Sequence, residues 1–399
     1  MIDSLEVLQA QIETLRSQFP SIIVMQVNVP GPKMTQPISH LLLRIFSKQL
    51  TQKGYEFLKV LNHEIPSLVF PSNAEGLKTK QAMIELENSP LGRFIDCDVY
   101  DSNQAKPYSR SEPRRCYLCE KNAFLCRKEQ NHSHQELLDF MHSEIKRELT
   151  PYLERMIASA LQKELDLHPK FGLVTPFTNG SHPDMNYELF RQSIQTITPL
   201  LSRFFFLPLD MLSLEETFQK ARTWGQEVES AMFQATQGIN THKGSIFHFS
   251  LYLLALGSVM SQGLNETKSV FDWMMQWVKP YPDSLQVMHE PYGALAEAKQ
   301  GYPSLQPLLG LDLDRTTQQL EVLGQLIIRT NDSVLLKRAK TEAEVKRIKH
   351  QFESLNWSDP EAIRLLNDEC ISNGYSFGGA ADLFSLLDLH HQSQRLFFD

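Results

Sequence analysis

The chain has 399 residues, more than one hydrophobic core usually organises, and its 42% hydrophobic and 22% charged residues exclude a disordered or fibrous protein. Its net charge of -8 argues against general affinity for nucleic acid. The longest apolar stretch, Ile246 to Met260, is interrupted by His248 and falls short of the roughly 20 residues that cross a bilayer, so no membrane partner is expected. The first residues, Met1-Ile-Asp-Ser-Leu-Glu, carry neither a basic region nor an apolar core; no secretory signal is expected, and the chain reads as cytoplasmic.

Leu5, Leu8, Ile12 and Leu15 recur at helical spacing. Ser21–Val29 is rich in β-branched residues and ends at Pro30-Gly31-Pro32, which predicts a strand running into a tight loop. Gln81–Glu87 alternates, with Ala82, Ile84 and Leu86 opposite Met83, Glu85 and Glu87, and predicts a second strand. Gly92–Tyr100 predicts a third, with Ile95, Cys97 and Val99 opposite Phe94, Asp96 and Asp98. From His134 the period turns helical through Leu137, Leu138, Met141, Ile145, Leu149, Leu153 and Met156, with a break or kink expected at Pro151. Further helices are expected over Tyr187–Phe205, Leu214–Gln234, Gly244–Val259, Glu266–Val278, Thr316–Ile328, Glu342–Leu355, Asp359–Ile371 and Gly379–His390. The expectation is an α+β domain with a mixed sheet over residues 1–150, followed by an all-α domain over 151–399, with the boundary inside 130–165.

Alternate residues of a strand share a face about 7 Å apart, so Asp96 and Asp98 project together, as would Glu85 and Glu87. Converging carboxylates are what holds Mg²⁺ against a polyphosphate; an exposed polar face is the plainer alternative. Cys116, Cys119, Cys126 and His132 offer the ligand types of a Cys₃His zinc site, with small buried thiols as the alternative. Lys106, Arg110, Arg114, Arg115, Lys121, Arg127 and Lys128 crowd the same region, opposed by Glu112 and Glu120; such a patch suits phosphate or an acidic protein, or is a solvated loop. In the second half, polar clusters interrupt the helices: His168-Pro-Lys-Phe-Gly172, Asn179-Gly-Ser-His-Pro-Asp184, Glu229 on its helix, Asn240-Thr-His-Lys-Gly244 and Ser376-Phe-Gly-Gly-Ala-Ala-Asp382. A helix start beside Lys243 can grip phosphate; turns and solvated charges are the ordinary alternative for each.

Two runs of motifs resemble known families. Asn28-Val-Pro-Gly-Pro-Lys33, Ile84-Glu-Leu-Glu87, Pro90-Leu-Gly-Arg-Phe-Ile-Asp-Cys-Asp-Val99, Pro113-Arg-Arg-Cys-Tyr-Leu-Cys119, Cys126-Arg127 and His132 resemble holo-citrate lyase synthase, also called apo-citrate lyase phosphoribosyl-dephospho-CoA transferase. Ala235-Thr-Gln-Gly-Ile-Asn-Thr-His-Lys-Gly-Ser-Ile-Phe247, supported by Pro169-Lys170, Asn179-Gly-Ser-His182, Gly225 with Glu229, Gly293-Ala294 with Glu297, and Gly378-Gly379 with Asp382, resembles triphosphoribosyl-dephospho-CoA synthase. The first resemblance implies a nucleotidyltransferase-like domain that moves phosphoribosyl-dephospho-CoA onto a serine of the acyl carrier (gamma) subunit of citrate lyase, releasing pyrophosphate. The second implies that ATP and 3'-dephospho-CoA are joined with loss of adenine. Together they imply that Asp96 and Asp98, with Glu85 and Glu87, hold Mg²⁺, and that Lys33, Arg93, Arg114 and Arg115 hold phosphate. In the second half they imply Lys170, Lys243 and Arg338 on phosphate, Asp184 and Glu229 as base or Mg²⁺ ligands, and His182 or His242 handling protons. Asn240, Glu297, Gly378, Gly379 and Asp382 complete the substrate site. The chain departs from the family patterns at Ser89, Phe171, Thr175, Leu295, Phe377 and Ala380, and its Asp332-Ser-Val334 only partly matches the pattern before Arg338. The same chemistry serving malonate decarboxylase, or a zinc-held interaction protein without catalysis, are the alternatives.

Overall fold

In the computed structural model, which describes residues 2–31, 36–60, 66–104, 106–110, 112–263, 268–280 and 292–398, the β-branched segment Ser21–Val27 forms the central strand β1. It pairs with β3 (Leu68–Ser72), Met25 opposite Leu68, and with β4 (Ile95–Asp101), Val27 opposite Ile95. The two-residue strand β2 (Lys59–Val60) adds at the far edge, giving the order β2-β3-β1-β4. Each strand runs opposite to its neighbour, so the expected mixed sheet is corrected to an antiparallel one. Helix α1 (Ile2–Arg16) brings Ile12 and Leu15 against Ile22, Val24, Val69 and Tyr100 to make a small core. Helix α2 (Pro37–Gln52), begun by the pre-set φ of Pro37, buries Leu41, Leu42, Leu43, Phe46 and Leu50.

The second strand expected from the sequence is instead helix α3 (Gly76–Glu87). Its buried residues Thr79, Lys80, Met83, Leu86 and Glu87 fall at three- and four-residue intervals, the period of a helix face. Glu85 is therefore exposed while Glu87 is buried, and the two acids do not share a face. Strand β4 keeps the expected alternation, Ile95, Cys97 and Val99 being fully buried. Its outer edge is met by α3: Lys80 Nζ donates to Cys97 O (2.7 Å), and Cys97 N donates to Glu87 Oε1 (2.8 Å). Beyond it, helix α4 (Ala123–Lys128) is capped by Asn122, whose side-chain oxygen accepts from Phe124 N and Leu125 N. Helix α5 (His134–Asp166) continues through Pro151, where a break was one of the expected outcomes.

The chain divides into two compact units, Met1–Pro151 with Met260–Thr267 and Phe397–Asp399, and Tyr152–Val259 with Lys268–Leu396. Among its described residues the second unit contains only helices and turns. They are α6 (Tyr187–Leu201), α7 (Leu214–Ala235), α8 (Lys243–Ser261), α9 (Val270–Val278), α10 (Ala294–Lys299), α11 (Thr316–Arg329), α12 (Ser333–Ala339), α13 (Glu342–Glu353), α14 (Pro360–Ser372) and α15 (Gly378–Phe397). The segment expected as one helix over Tyr187–Phe205 leaves α geometry after Leu201 and tightens to a 3₁₀ turn over Ser202–Asp210. The expected start of α9 at Glu266 lies outside the described residues; the helix is seen from Val270, with Ser269 and Asp272 forming a capping box. Helix α8 is long and apolar enough to cross a bilayer, but 78% of its apolar window is buried inside the protein, as in a core helix.

Candidate active sites

The face of β4 opposite Cys97 carries Asp96 and Asp98. Asp96 is half exposed and lines a cavity of about 1410 Å³ in the first unit. Asp98 is not among the lining residues; loss of solvent, and next the charge on Asp96, lift its carboxyl to about 6. Arg114 bridges two acids, its NH2 lying 2.7 Å from Asp96 Oδ1 and 3.2 Å from Glu87 Oε1, while its NH1 donates to Ile95 O (2.7 Å). Glu87 also lies 3.2 Å from Arg110 and 3.7 Å from Lys80. The carboxylate is fully buried, engaged by three cations and a backbone N–H, and so serves as the counter-ion of the arginines; its Oε2 accepts no hydrogen bond. Arg93 donates from NH2 to Cys116 O (3.2 Å) and Tyr117 O (3.4 Å), and its guanidinium lies 5.3 Å from the ring centres of Tyr117 and Phe140. Arg115 is exposed and paired with Glu120. Arg93, Arg110, Arg114 and Arg115 all line the cavity; Glu85 does not, and Lys33 lies outside the described residues.

Cys116, Cys119, Cys126 and His132 converge at the same cavity wall, their ligand atoms all within 4.8 Å of one another, a set able to hold a metal ion. Cys126 Sγ lies 3.4 Å from Cys116 Sγ and 3.8 Å from Cys119 Sγ, and all five cysteines are free. His132 Nε2 is buried without a hydrogen-bond partner, as a nitrogen waiting for a metal would be. Burial works to raise the Cys116 thiol, but the backbone N–H groups of Leu118 and Cys119 outweigh it and hold it below its ordinary value.

The second unit encloses a cavity of about 1290 Å³, onto which α8, α12 and α15 open with their N-terminal residues. Asn240 Oδ1 accepts from Lys243 N (3.1 Å) at the start of α8, and Lys243 Nζ lies 3.1 Å from Glu229 Oε2, so the acid of α7 and the cation of α8 face each other. Lys243 and Asn240 line the cavity. Asp382 is joined to Ser245 Oγ, and a Cβ at Gly244 would overlap its Oδ2, which is why glycine is needed there. Loss of solvent lifts Asp382 to about 7, with the charges of Asp332 and Glu164 adding to it and Ser245 opposing. Asp184 and Arg338 are exposed on the cavity lining.

Other candidate residues prove to be held by partners. Lys170 is fully buried, with Nζ 2.8 Å from Glu164 Oε1 and donating to Glu164 O (2.9 Å), so its charge is already matched. His242 is bonded through Nδ1 to Ser193 Oγ (2.7 Å), and burial, then the charge on Lys170, push it down to about 3, so it is neutral at pH 7. His182 lies between Ser376 Oγ (2.9 Å) and Arg338 NH2 (3.4 Å), and burial, then Arg338, lower it. Glu297 accepts from Ser304 N and Oγ, and burial raises it. Gly378 and Gly379 bring the start of α15 against Asp332, whose Oδ1 caps α12 by accepting from Val334 N (2.8 Å) and Leu335 N (3.1 Å), and whose Oδ2 accepts from Ala380 N (3.2 Å). Sequence reasoning gave no role to Glu164, Asp332, Ser193, Ser245 or Ser376, although Asp332, Ser245 and Ser376 lie within segments it named. Asp332 carried a signal, an acid at cap spacing before a helix; a solitary Glu164 carried none.

Three of the departures from the family patterns, Phe171, Thr175 and Phe377, have local reasons. Phe171 and Phe377 both pack edge-on against Phe352, with ring centres 4.9 Å and 5.3 Å away, so the two changes fill one aromatic cluster. Thr175 Oγ1 accepts from Phe177 N and Thr178 N, both at 3.2 Å, the turn-closing work that an aspartate also performs.

Each unit has a cavity that sets carboxylates among cations, an arrangement suited to phosphorylated substrates, and two family matches make the chain a transferase. Residues 2–148 match the family described as apo-citrate lyase phosphoribosyl-dephospho-CoA transferase, and residues 150–281 the family described as ATP:dephospho-CoA triphosphoribosyl transferase. The chain is 29% identical to a protein of Leuconostoc mesenteroides subsp. cremoris named Protein CitXG, over 96% of this chain and 94% of that one. It is also 29% identical to the Protein CitXG of Haemophilus influenzae, over 80% of this chain and 77% of that one. Against the 2-(5''-triphosphoribosyl)-3'-dephosphocoenzyme-A synthase of Pectobacterium atrosepticum it is 30% identical, over 59% of this chain and 86% of that one. The chain belongs to both families, as a fusion of one with the other.

Proposed function

We propose that the second unit makes 2'-(5''-triphosphoribosyl)-3'-dephospho-CoA, and that the first transfers its phosphoribosyl-dephospho-CoA part to a serine of the acyl carrier subunit of apo-citrate lyase. In the first reaction the 2'-hydroxyl of 3'-dephospho-CoA attacks the anomeric carbon of ATP's ribose, the glycosidic bond breaks and adenine leaves. Lys243 and Arg338 bind the triphosphate, assisted by the N–H groups at the start of α8. Asp184 or Glu229 takes the hydroxyl proton, and His182, which lines the cavity beside Arg338, serves the departing base. In the second reaction the serine oxygen attacks the phosphorus nearest the ribose, and pyrophosphate departs. Arg93, Arg114 and Arg115 hold the phosphates. Asp96, with Asp98 beside it, would hold Mg²⁺, whose charge offsets that on the departing pyrophosphate. Cys116, Cys119, Cys126 and His132 would hold Zn²⁺ in a structural role: the sulfur separations of 3.4 Å and 3.8 Å suit the tetrahedral edge of about 3.8 Å expected for Zn–S bonds of about 2.3 Å. The five free cysteines suit a cytoplasmic setting.

What carries this reading is the gathering of acids and cations from distant segments around one cavity in each half, Asp96 with Arg114 in the first and Asp184 with Lys243 and Arg338 in the second. The test is to incubate the chain with ATP, Mg²⁺, 3'-dephospho-CoA and apo carrier subunit, following free adenine and the intact mass of the carrier. Adenine release matched by a mass gain of one phosphoribosyl-dephospho-CoA is the expected result; neither product forming would overturn it. Adenine release without a mass gain would leave the synthase assignment and overturn the transferase one.

A further inference from the structure

Transfer to a protein serine sets a requirement that small-molecule chemistry does not: a macromolecule must dock so that one side chain reaches into the first cavity. This inference rests on the transferase reading above. The loop and short helix that carry the metal ligands border that cavity, since Arg115, Cys116, Asn122, Phe124 and Arg127 all line it. The same short stretch turns large apolar side chains outward: Phe124 is 61% exposed, Leu125 49% and Leu118 39%. Lone exposed apolar residues need no explanation, but three within eight positions at the rim of a cavity form a surface suited to a partner.

Within residues 115–129 the unmatched charges are positive. Glu120 and Glu129 are occupied by Arg115 and Lys121. Arg127 and Lys128 are exposed and have no ion pair among the described residues, and Arg127 lies over the Phe124 ring at 5.8 Å. An apolar centre with unmatched cations beside it is complementary to an acidic surface having an apolar patch of its own. The fold also gives this surface rigidity, because Asn122 caps α4, Cys116 N donates to Lys121 O (2.9 Å), and Ala123 N donates to Arg114 O (2.8 Å). We infer that Leu118, Phe124 and Leu125, with Arg127 and Lys128, are the docking surface for the acyl carrier subunit, a surface that fits a carrier with acidic residues around the serine to be modified. Phe124 and Arg127 reach from this surface into the cavity and so link docking to the reacting groups.

The experiment uses the full chain, donor made by its own second unit and then purified, and the apo carrier subunit. The variants are Leu118→Ala/Leu125→Ala and, separately, Lys128→Glu; none of these side chains lines the cavity. Anchoring residues at protein interfaces carry most of the affinity, so each variant should raise KM for the carrier roughly tenfold or more. KM for the donor, kcat at saturating carrier, adenine release, metal content and thermal melting should match the parent chain. Added salt should raise the parent's carrier KM and move that of Lys128→Glu less. Carrier KM values unchanged in both variants, with the parent active, would overturn the docking surface and leave the transferase assignment standing. A parent chain that transfers nothing would overturn both, and equal losses in donor and carrier KM would show that the residues act through the fold and not through docking.

Discussion

Replacing Glu87 with glutamine tests how the arginines of the first cavity are held. The glutamine keeps the shape and one acceptor for Cys97 N but removes the charge that faces Lys80, Arg110 and Arg114. Lys80 is 4% exposed and Glu87 0%, so the ammonium would be left buried without its counter-ion. Breaking a buried ion pair from one side costs about 3–5 kcal/mol. Arg110 and Arg114 are each about a fifth exposed and Arg114 keeps Asp96, which places the cost at the lower end, about 3 kcal/mol. For a unit of this size that is a fall of roughly 6–12 °C in melting temperature. Scanning calorimetry on the full chain should show the transition of the first unit moving down while adenine release, a property of the second, persists. An unchanged first transition would refute the view that Glu87 organises these cations.

Asp98 sets a pH dependence. Its folded value of about 6 lies above the ordinary carboxylate value of about 4, so between these the unfolded chain sheds a proton that the folded one keeps. The stability it contributes is therefore full below about pH 4 and lost as pH rises through about 6. Asp98→Asn should flatten that fall in urea melts of the metal-free chain; an identical slope would refute it. Cys119→Ser should lower bound zinc, measured with a colorimetric chelator, and raise KM for the donor, because Cys116 O and Tyr117 O orient Arg93. Lys243→Ala should raise KM for ATP roughly ten- to hundredfold in the adenine-release assay, since hydrogen bonds to charged groups contribute about 1.5–3 kcal/mol; a normal KM would remove that residue from the phosphate site.

The fold was most legible where one period ran long. The longer helices of the second unit repeat their apolar residues over several turns, and β4 alternates through Ile95, Cys97 and Val99, so both are recovered from the chain alone, whereas the short α10 and α12 carry too few turns to show a period. Gln81–Glu87 failed because seven residues fit either period; including Thr79 and Lys80 shows the helical face. Site residues on characteristic motifs, such as Asp96 and Lys243, could be proposed from order and spacing. What could not be read was which of them are already spoken for. His242 is held by Ser193, 49 positions away, and Lys170 by Glu164, and burial of this kind is a tertiary property with no local pattern. The departures Phe171 and Phe377 likewise look unrelated along the chain and become one feature only when Phe352 lies between them.

Strand β4 ends the sheet on one side, and an end strand ordinarily offers its free backbone groups as a template on which another polypeptide can add. Here the amide and carbonyl of Cys97 are plugged by the side chains of Glu87 and Lys80. Glu87, which steadies the cations of the cavity, and its partner Lys80 thus also occupy an edge that a second molecule would need. Chains lacking either plug should accumulate as aggregates during expression, even at temperatures where they remain folded.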